Sequence, residues 1–142
     1  MIAVDTNILV YAHRRETAEH ARALARLRAL AEGDARWGVP VFCLGEFVRV
    51  VTHPGVFRPA STLDEAAGAL EGLLASPSLL LLSPGDRYWP LLRAALREAR
   101  AVGNLAFDAQ IVAVCREFGV RALLTEDRDF RRFPDFPLEH LT

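Results

Sequence analysis

The chain opens on four apolar residues, Met1-Ile2-Ala3-Val4, and breaks off at Asp5. A continuously apolar run of this kind predicts a strand buried on both faces. Asp5 or Thr6 can cap the helix that follows. Residues 17–32 place Ala21, Leu24, Leu27, Leu30 and Ala31 at helical spacing, and Gly33 marks the stop. Arg36 to Val39 reads as a short strand. Pro40 fits the first turn of a helix running to about Thr52, which Pro54-Gly55 ends. Thr62 with Glu65 has the spacing of a capping box and predicts a helix to about Ala75. Leu79–Leu82 reads as a buried strand. Asp86 to Ala101 reads as a helix that tolerates Pro90 in its first turn. Asn104 to Phe118 is a strongly apolar helix closed by Gly119, and Val120 to Leu124 is a strand. Residues 127–132 predict a short helical turn and 138–140 an edge strand.

Strands that alternate with helices imply an α/β fold, a parallel sheet covered on both faces. Ligand sites in open parallel sheets form at the carboxyl ends of the strands. Asp5 ends the first strand and Asp127 follows the strand 120–124, so these two acids belong to one edge of the sheet. The 142 residues, without a repeat or long linker, read as a single domain over 1–142.

Composition narrows the chemistry. With 51% hydrophobic and 25% charged residues the chain is globular and ordered. A net charge of −1 excludes a polycation but leaves room for a local basic patch. All 17 basic residues are arginine. Without lysine there is no P-loop and no Schiff-base chemistry, and phosphotransfer sites of the receiver or haloacid-dehalogenase kind lack their usual lysine. Cys43 and Cys115 stand far apart without metal-binding spacing, as buried thiols of a reducing cytoplasm do. No apolar run spans a membrane, and no secretion signal opens the chain.

The acids carry the functional signal. Glu46 interrupts an apolar stretch and lies on the helical side of Phe42, Cys43 and Val50, where an unpaired charge is costly. An ion pair with Arg49 at i+3 is the bland alternative. Asp108 sits early in an apolar helix, where the helix dipole alone would favour it. Thr125-Glu126-Asp127-Arg128-Asp129 packs three acids directly after a strand, which a cation would compensate. Carboxylates that converge from distant segments are a standard way to hold a hard divalent cation.

Val4-Asp5-Thr6-Asn7-Ile8-Leu9, the mid-chain Glu46-Phe47, Asn104-Leu105-Ala106-Phe107-Asp108-Ala109 and Thr125-Glu126-Asp127-Arg128-Asp129-Phe130 together resemble a PIN domain. They look most like the VapC toxins of bacterial VapBC toxin–antitoxin systems, over essentially the whole chain. The resemblance implies a three-layer αβα domain with a five-stranded parallel sheet. It implies a Mg²⁺- or Mn²⁺-dependent endoribonuclease that cuts single-stranded RNA, the toxin of a type II pair inhibited by a VapB-like antitoxin. Asp5, Glu46, Asp108 and Asp127 match the acidic quartet, as catalytic residues and metal ligands. Asp5 and Asp108 are expected to bind the ion directly. Thr6 and Thr125 match hydroxyl positions that orient the acids, Asn7 a position that supports Asp5, and Asp129 a less regular extra acid. The alternatives are a PIN-fold processing nuclease with no toxin role, or a binding domain whose acids serve only as caps and salt bridges.

Substrate phosphates call for positive groups, and Arg14, Arg15 and Arg49 are the first candidates, with Arg131 and Arg132 beyond the acidic turn. Trp37, Tyr11 and Phe57 are candidates to stack bases, with core packing the first expectation for each. The alanine- and leucine-rich helix 17–32 can line a groove for the antitoxin or a homodimer contact. His13, His20, His53 and His140 fall outside the acidic motifs, so products with 5′-phosphate and 3′-hydroxyl ends are expected. Asp5→Asn is expected to abolish cleavage and leave the fold intact.

Overall fold

The computed structural model describes all 142 residues. Five strands form one parallel sheet in the order β3-β2-β1-β4-β5, with β1 at Ile2–Val4, β2 at Trp37–Pro40, β3 at Leu79–Leu82, β4 at Ala122–Leu124 and β5 at Leu138–Glu139. Helices α1 (Thr6–His13), α2 (His20–Glu32), α3 (Phe42–Val51), α4 (Leu63–Leu74), α5 (Tyr88–Ala99) and α6 (Leu105–Glu117) cover the sheet. The architecture is the expected three-layer αβα arrangement. A 3₁₀ turn, Arg128–Arg132, stands where the short helical turn was expected.

The strand at the centre is buried along its whole length. Ile2, Ala3 and Val4 of β1 are buried, flanked by the buried Ala122, Leu123 and Leu124 of β4. Trp37 lies wholly inside, its indole N–H donating to the Ser78 hydroxyl at 3.1 Å. It is a core residue, as core packing predicts, and it offers no face to a base. Phe130 and Phe133 are buried and fasten the 3₁₀ turn to the core. Burying side chains of this size stabilises by about 2–3 kcal/mol each.

Three local readings change. Pro40 closes β2 and does not enter a helix. Its missing N–H is harmless there, because the next amide, that of Val41, bonds the Leu82 carbonyl at the strand ends. The strand Leu79–Leu82 is not buried throughout. It lies at the sheet edge, and only Leu82 is fully covered. The second helix begins at His20, three residues later than its pattern suggests, because Thr17 turns the chain by bonding the Arg14 carbonyl through its hydroxyl. The Thr62–Glu65 capping box forms as expected, and Gly119 closes α6 with φ of +63°, the left-handed conformation glycine accepts freely.

Candidate metal and RNA site

The carboxyl ends of β1 and β4 lie side by side, with Val4 in register with Leu124. Asp5 and Thr125 leave these strands together, and the Asp5 amide bonds the Leu124 carbonyl at 3.0 Å. Asp5 is 4% exposed. Its Oδ1 accepts from the Thr6 amide at 2.8 Å. Its Oδ2 accepts from the Asn7 side-chain amide at 2.8 Å and the Thr125 hydroxyl at 2.7 Å. Thr125 in turn accepts from the Asp127 amide at 3.0 Å, and Asn7 Oδ1 accepts from the Glu126 amide at 3.1 Å. One hydrogen-bonded cluster thus ties the start of α1 to the loop after β4. Hydrogen bonds to a charged group are the stronger kind, about 1.5–3 kcal/mol.

The hydroxyl contact expected of two threonines is made by Thr125. Thr6 contributes its main-chain N–H, and its buried hydroxyl has no partner.

Above this cluster opens a cleft of about 640 Å³, lined in part by Glu46, Arg49, Asp108, Asp127 and Asp129. One carboxylate oxygen from each of Asp108, Asp127 and Asp129 lies within 4.8 Å of the others. Asp129 is therefore part of the tight group, and Asp5 stands beneath it. Glu46 reaches the cleft from α3, Asp108 from the first turn of α6, and the last two acids from the 3₁₀ turn and its cap. No salt bridge involves any of the five acids, so the reading as paired surface charges does not apply. Capping is partial: Asp127 accepts from the Asp129 amide at 2.9 Å.

The electrostatics follow. Burial pushes the Asp5 carboxyl up to about 6, against the lowering effect of the Thr125 hydroxyl and the Thr6 amide, with Glu46 and Asp127 adding to the rise. Burial pushes Asp108 up to about 7, with Asp127, Asp5, Asp129 and Glu46 raising it further. The four carboxylates that line the cleft, with buried Asp5 acting on Asp108 from nearby, form a negative basin that no ion pair neutralises and in which Arg49 is the one lining cation. Hard oxygens, grouped closely and unpaired, fit a divalent cation such as Mg²⁺ or Mn²⁺.

Of the arginines, Arg49 lines the cleft. Arg14 is occupied elsewhere: it lies 4.5 Å above the Phe57 ring and donates to Glu16, Ser61 and the Pro59 carbonyl. Arg15 is exposed at the far end of α1. None of the four histidines lines the cleft. His13 bonds Ser61, His20 the Tyr11 carbonyl, His53 the Gly55 amide and His140 the Thr125 carbonyl. Cys43 and Cys115 are both buried and free, and burial raises both thiols. No helix is long and apolar enough to cross a membrane.

A sheet of this order with acids from β1, α3, α6 and the loop after β4 defines a class. The family model described as PIN domain matches residues 2–135. The chain belongs to the PIN domain family and, within it, to the VapC group. VapC ribonuclease Mb2897 of Mycobacterium bovis is 39% identical over 133 residues, covering 94% of this chain and 90% of that protein. Ribonuclease VapC25 of Mycobacterium tuberculosis is 34% identical over 133 residues, covering 94% of this chain and 93% of that protein. Among solved structures, VapBC2 from Rickettsia felis bound to a fragment of its promoter DNA aligns with a TM-score of 0.68 at 21% identity, over 100% of both chains. VapC20 of Mycobacterium tuberculosis, described as a toxin that cleaves the sarcin–ricin loop, aligns at 0.64 and 20% identity, over 92% of this chain and 93% of that one. At that identity the two structures speak for the shared fold.

Proposed function

We propose that the chain is a metal-dependent endoribonuclease that cuts single-stranded regions of RNA and acts as the toxin of a type II toxin–antitoxin pair. The observation that carries this reading is the unpaired acidic basin at the joined ends of β1 and β4. The ribonuclease names of relatives at up to 39% identity support the substrate class.

Asp108, Asp127 and Asp129 offer the grouped ligand oxygens, and Glu46 adds charge from α3. Asp5 is the buried anchor. Each of its oxygens accepts two bonds, Oδ1 from the Thr6 amide and the Cys43 thiol and Oδ2 from Asn7 and Thr125, so its charge acts on the cleft from below and an ion that bound it directly would displace one of these donors. A bound Mg²⁺ or Mn²⁺ neutralises charge at the scissile phosphate and makes water acidic enough to attack near neutral pH. Arg49 holds a neighbouring phosphate of the strand. Thr125 and Asn7 keep Asp5 and the loop of Asp127 in register. With no histidine at the cleft to activate a 2′-hydroxyl, water attacks and the products end in 5′-phosphate and 3′-hydroxyl.

The partner of the toxin is a VapB-like antitoxin, and the working form is a homodimer in the cytoplasm. The Rickettsia felis and Haemophilus influenzae structures similar to this chain are VapBC complexes. An apolar hollow lined by Leu9, Leu27, Phe47, Leu70 and Leu73 is a dry surface suited to an apolar segment of such a partner. The two free buried thiols suit a reducing compartment.

The test compares wild type with Asp108→Asn, on purified protein with Mn²⁺ and single-stranded RNA and by growth on induced expression. Asp108 is the better choice than Asp5, because Asp5→Asn would set an amide N–H₂ against the donors that serve the carboxylate. Cleavage and growth arrest are expected from wild type and neither from Asp108→Asn. Metal-independent cleavage, or cyclic phosphate ends, would refute the mechanism.

A further inference from the structure

The acidic basin takes up only part of its cleft. The same cleft is lined by Phe107, Arg49, Asn104 and Gln110. Phe107 is 61% exposed, although it stands in an otherwise well-buried helix. Asn104, Phe107, Asp108 and Ile111 fall at i, i+3, i+4 and i+7 of α6 and all line the cleft. Ile111 is the buried end of this face and Phe107 the outer end, one residue from an acid. Opposite, on α3, Gly45 lines the same cleft, and a Cβ added there would meet nothing within 4 Å. Space is therefore left open on the α3 side of the cleft that Phe107 also lines. Neither Arg49 nor the amides of Asn104 and Gln110 are engaged by a side-chain hydrogen bond or ion pair within the protein.

We infer that these residues make a nucleotide subsite, in which the base beside the scissile phosphate stacks on Phe107. This deepens the ribonuclease reading and rests on it. An exposed phenyl ring alone would mean little. Its company decides the matter. Only three of the 11 lining residues are hydrophobic, and four are carboxylates, whereas the centre of a protein–protein contact is depleted of charge. A flat aromatic face, one cation and two free amides beside a metal-type site match the parts of a single-stranded nucleic acid: base, phosphate and base edge. Stacking accepts every base, so Phe107 sets affinity and register, and Asn104 and Gln110 bias the base identity.

The experiment uses the whole chain, Mn²⁺ and a fluorescent single-stranded oligoribonucleotide. Phe107→Ala is expected to raise KM roughly 5- to 100-fold, with kcat within a few-fold, and Phe107→Trp to restore KM. Gly45→Leu, a better helix former that fills the open space, is expected to raise KM similarly. Mn²⁺ should shift the melting temperature of all three variants as it does the wild type. An unchanged KM in Phe107→Ala overturns the inference. So does conversion of a dimer to a monomer with kcat/KM per chain intact, which marks a subunit contact instead. Binding of the matching DNA strand is followed in parallel by anisotropy. If wild type cuts no RNA and Phe107→Ala still weakens strand binding by that factor, the subsite stands and the cleavage reading falls. If strand binding ignores Phe107, the subsite falls whatever cleavage does.

Discussion

Asp108 holds its proton up to about 7, against an ordinary 3.8, because burial and the surrounding carboxylates oppose its ionisation. The folded protein therefore binds this proton more tightly than the unfolded chain does. Stability from this group is full at low pH and is lost as pH rises from about 4 to about 7. Asp108→Asn is uncharged throughout. In the metal-free protein its melting temperature should match wild type near pH 4 and exceed it above pH 7. Excess Mn²⁺ should reverse that order, since wild type alone keeps the full ligand set. Differential scanning fluorimetry across pH with and without Mn²⁺ checks both. Cleavage by this variant should fall on the order of 100-fold or more. Thr125 makes a second test. Thr125→Val keeps the shape but removes the hydroxyl that serves Asp5 and the Asp127 amide. A loss of about 2 kcal/mol is expected by urea unfolding, with weaker Mn²⁺ binding. Glu46 and Asp108 drew notice in the sequence because acids in apolar surroundings are conspicuous, and Asp5 and Asp127 because they follow strands; the structure gathers Glu46, Asp108 and Asp127 on one cleft with Asp129 and buries Asp5. The exposure of Phe107 was not legible, since a phenylalanine between Ala106 and Asp108 on an apolar helix reads as core. Arg14 looked free for the same reason in reverse, as its partners at Phe57, Pro59 and Ser61 lie more than 40 residues on.

Helices with local signals stood out best from sequence. The capping box of α4 needs only Thr62 and Glu65, three residues apart, and both of its bonds are present at 3.0 and 3.1 Å. Thr62→Ala should lower stability by about 1 kcal/mol and leave kcat unchanged, because α4 holds none of the acids. Equilibrium unfolding beside a cleavage assay reads the two effects separately. Strand neighbours carry no such local mark. Four leucines at 79–82 look the same whether the strand is central or at an edge, and only the pairing order places them at the rim. Pro40 was equally ambiguous. A proline suits a first helical turn or a strand end, and the preceding pairing of Val39 and Pro40 with Leu81 and Leu82 decides for the strand.

For the molecule as a whole, the proposed metal role of the basin makes stability a function of free metal. Mn²⁺ at 100 times its dissociation constant should stabilise by about 2.7 kcal/mol, removable by a chelator. A melting temperature indifferent to Mn²⁺ and Mg²⁺ would leave the acids without their proposed role. The residues that make the basin also span nearly the full length of the chain. Asp5 and Thr125 meet through a bond that closes 120 positions of sequence. Loop closure on that scale happens only once the intervening elements have condensed. Catalytic competence should thus emerge as an all-or-none property of the finished tertiary structure. In a denaturant titration, enzymatic turnover and far-ultraviolet ellipticity should vanish along one sigmoid, and a partly folded toxin should be a harmless one.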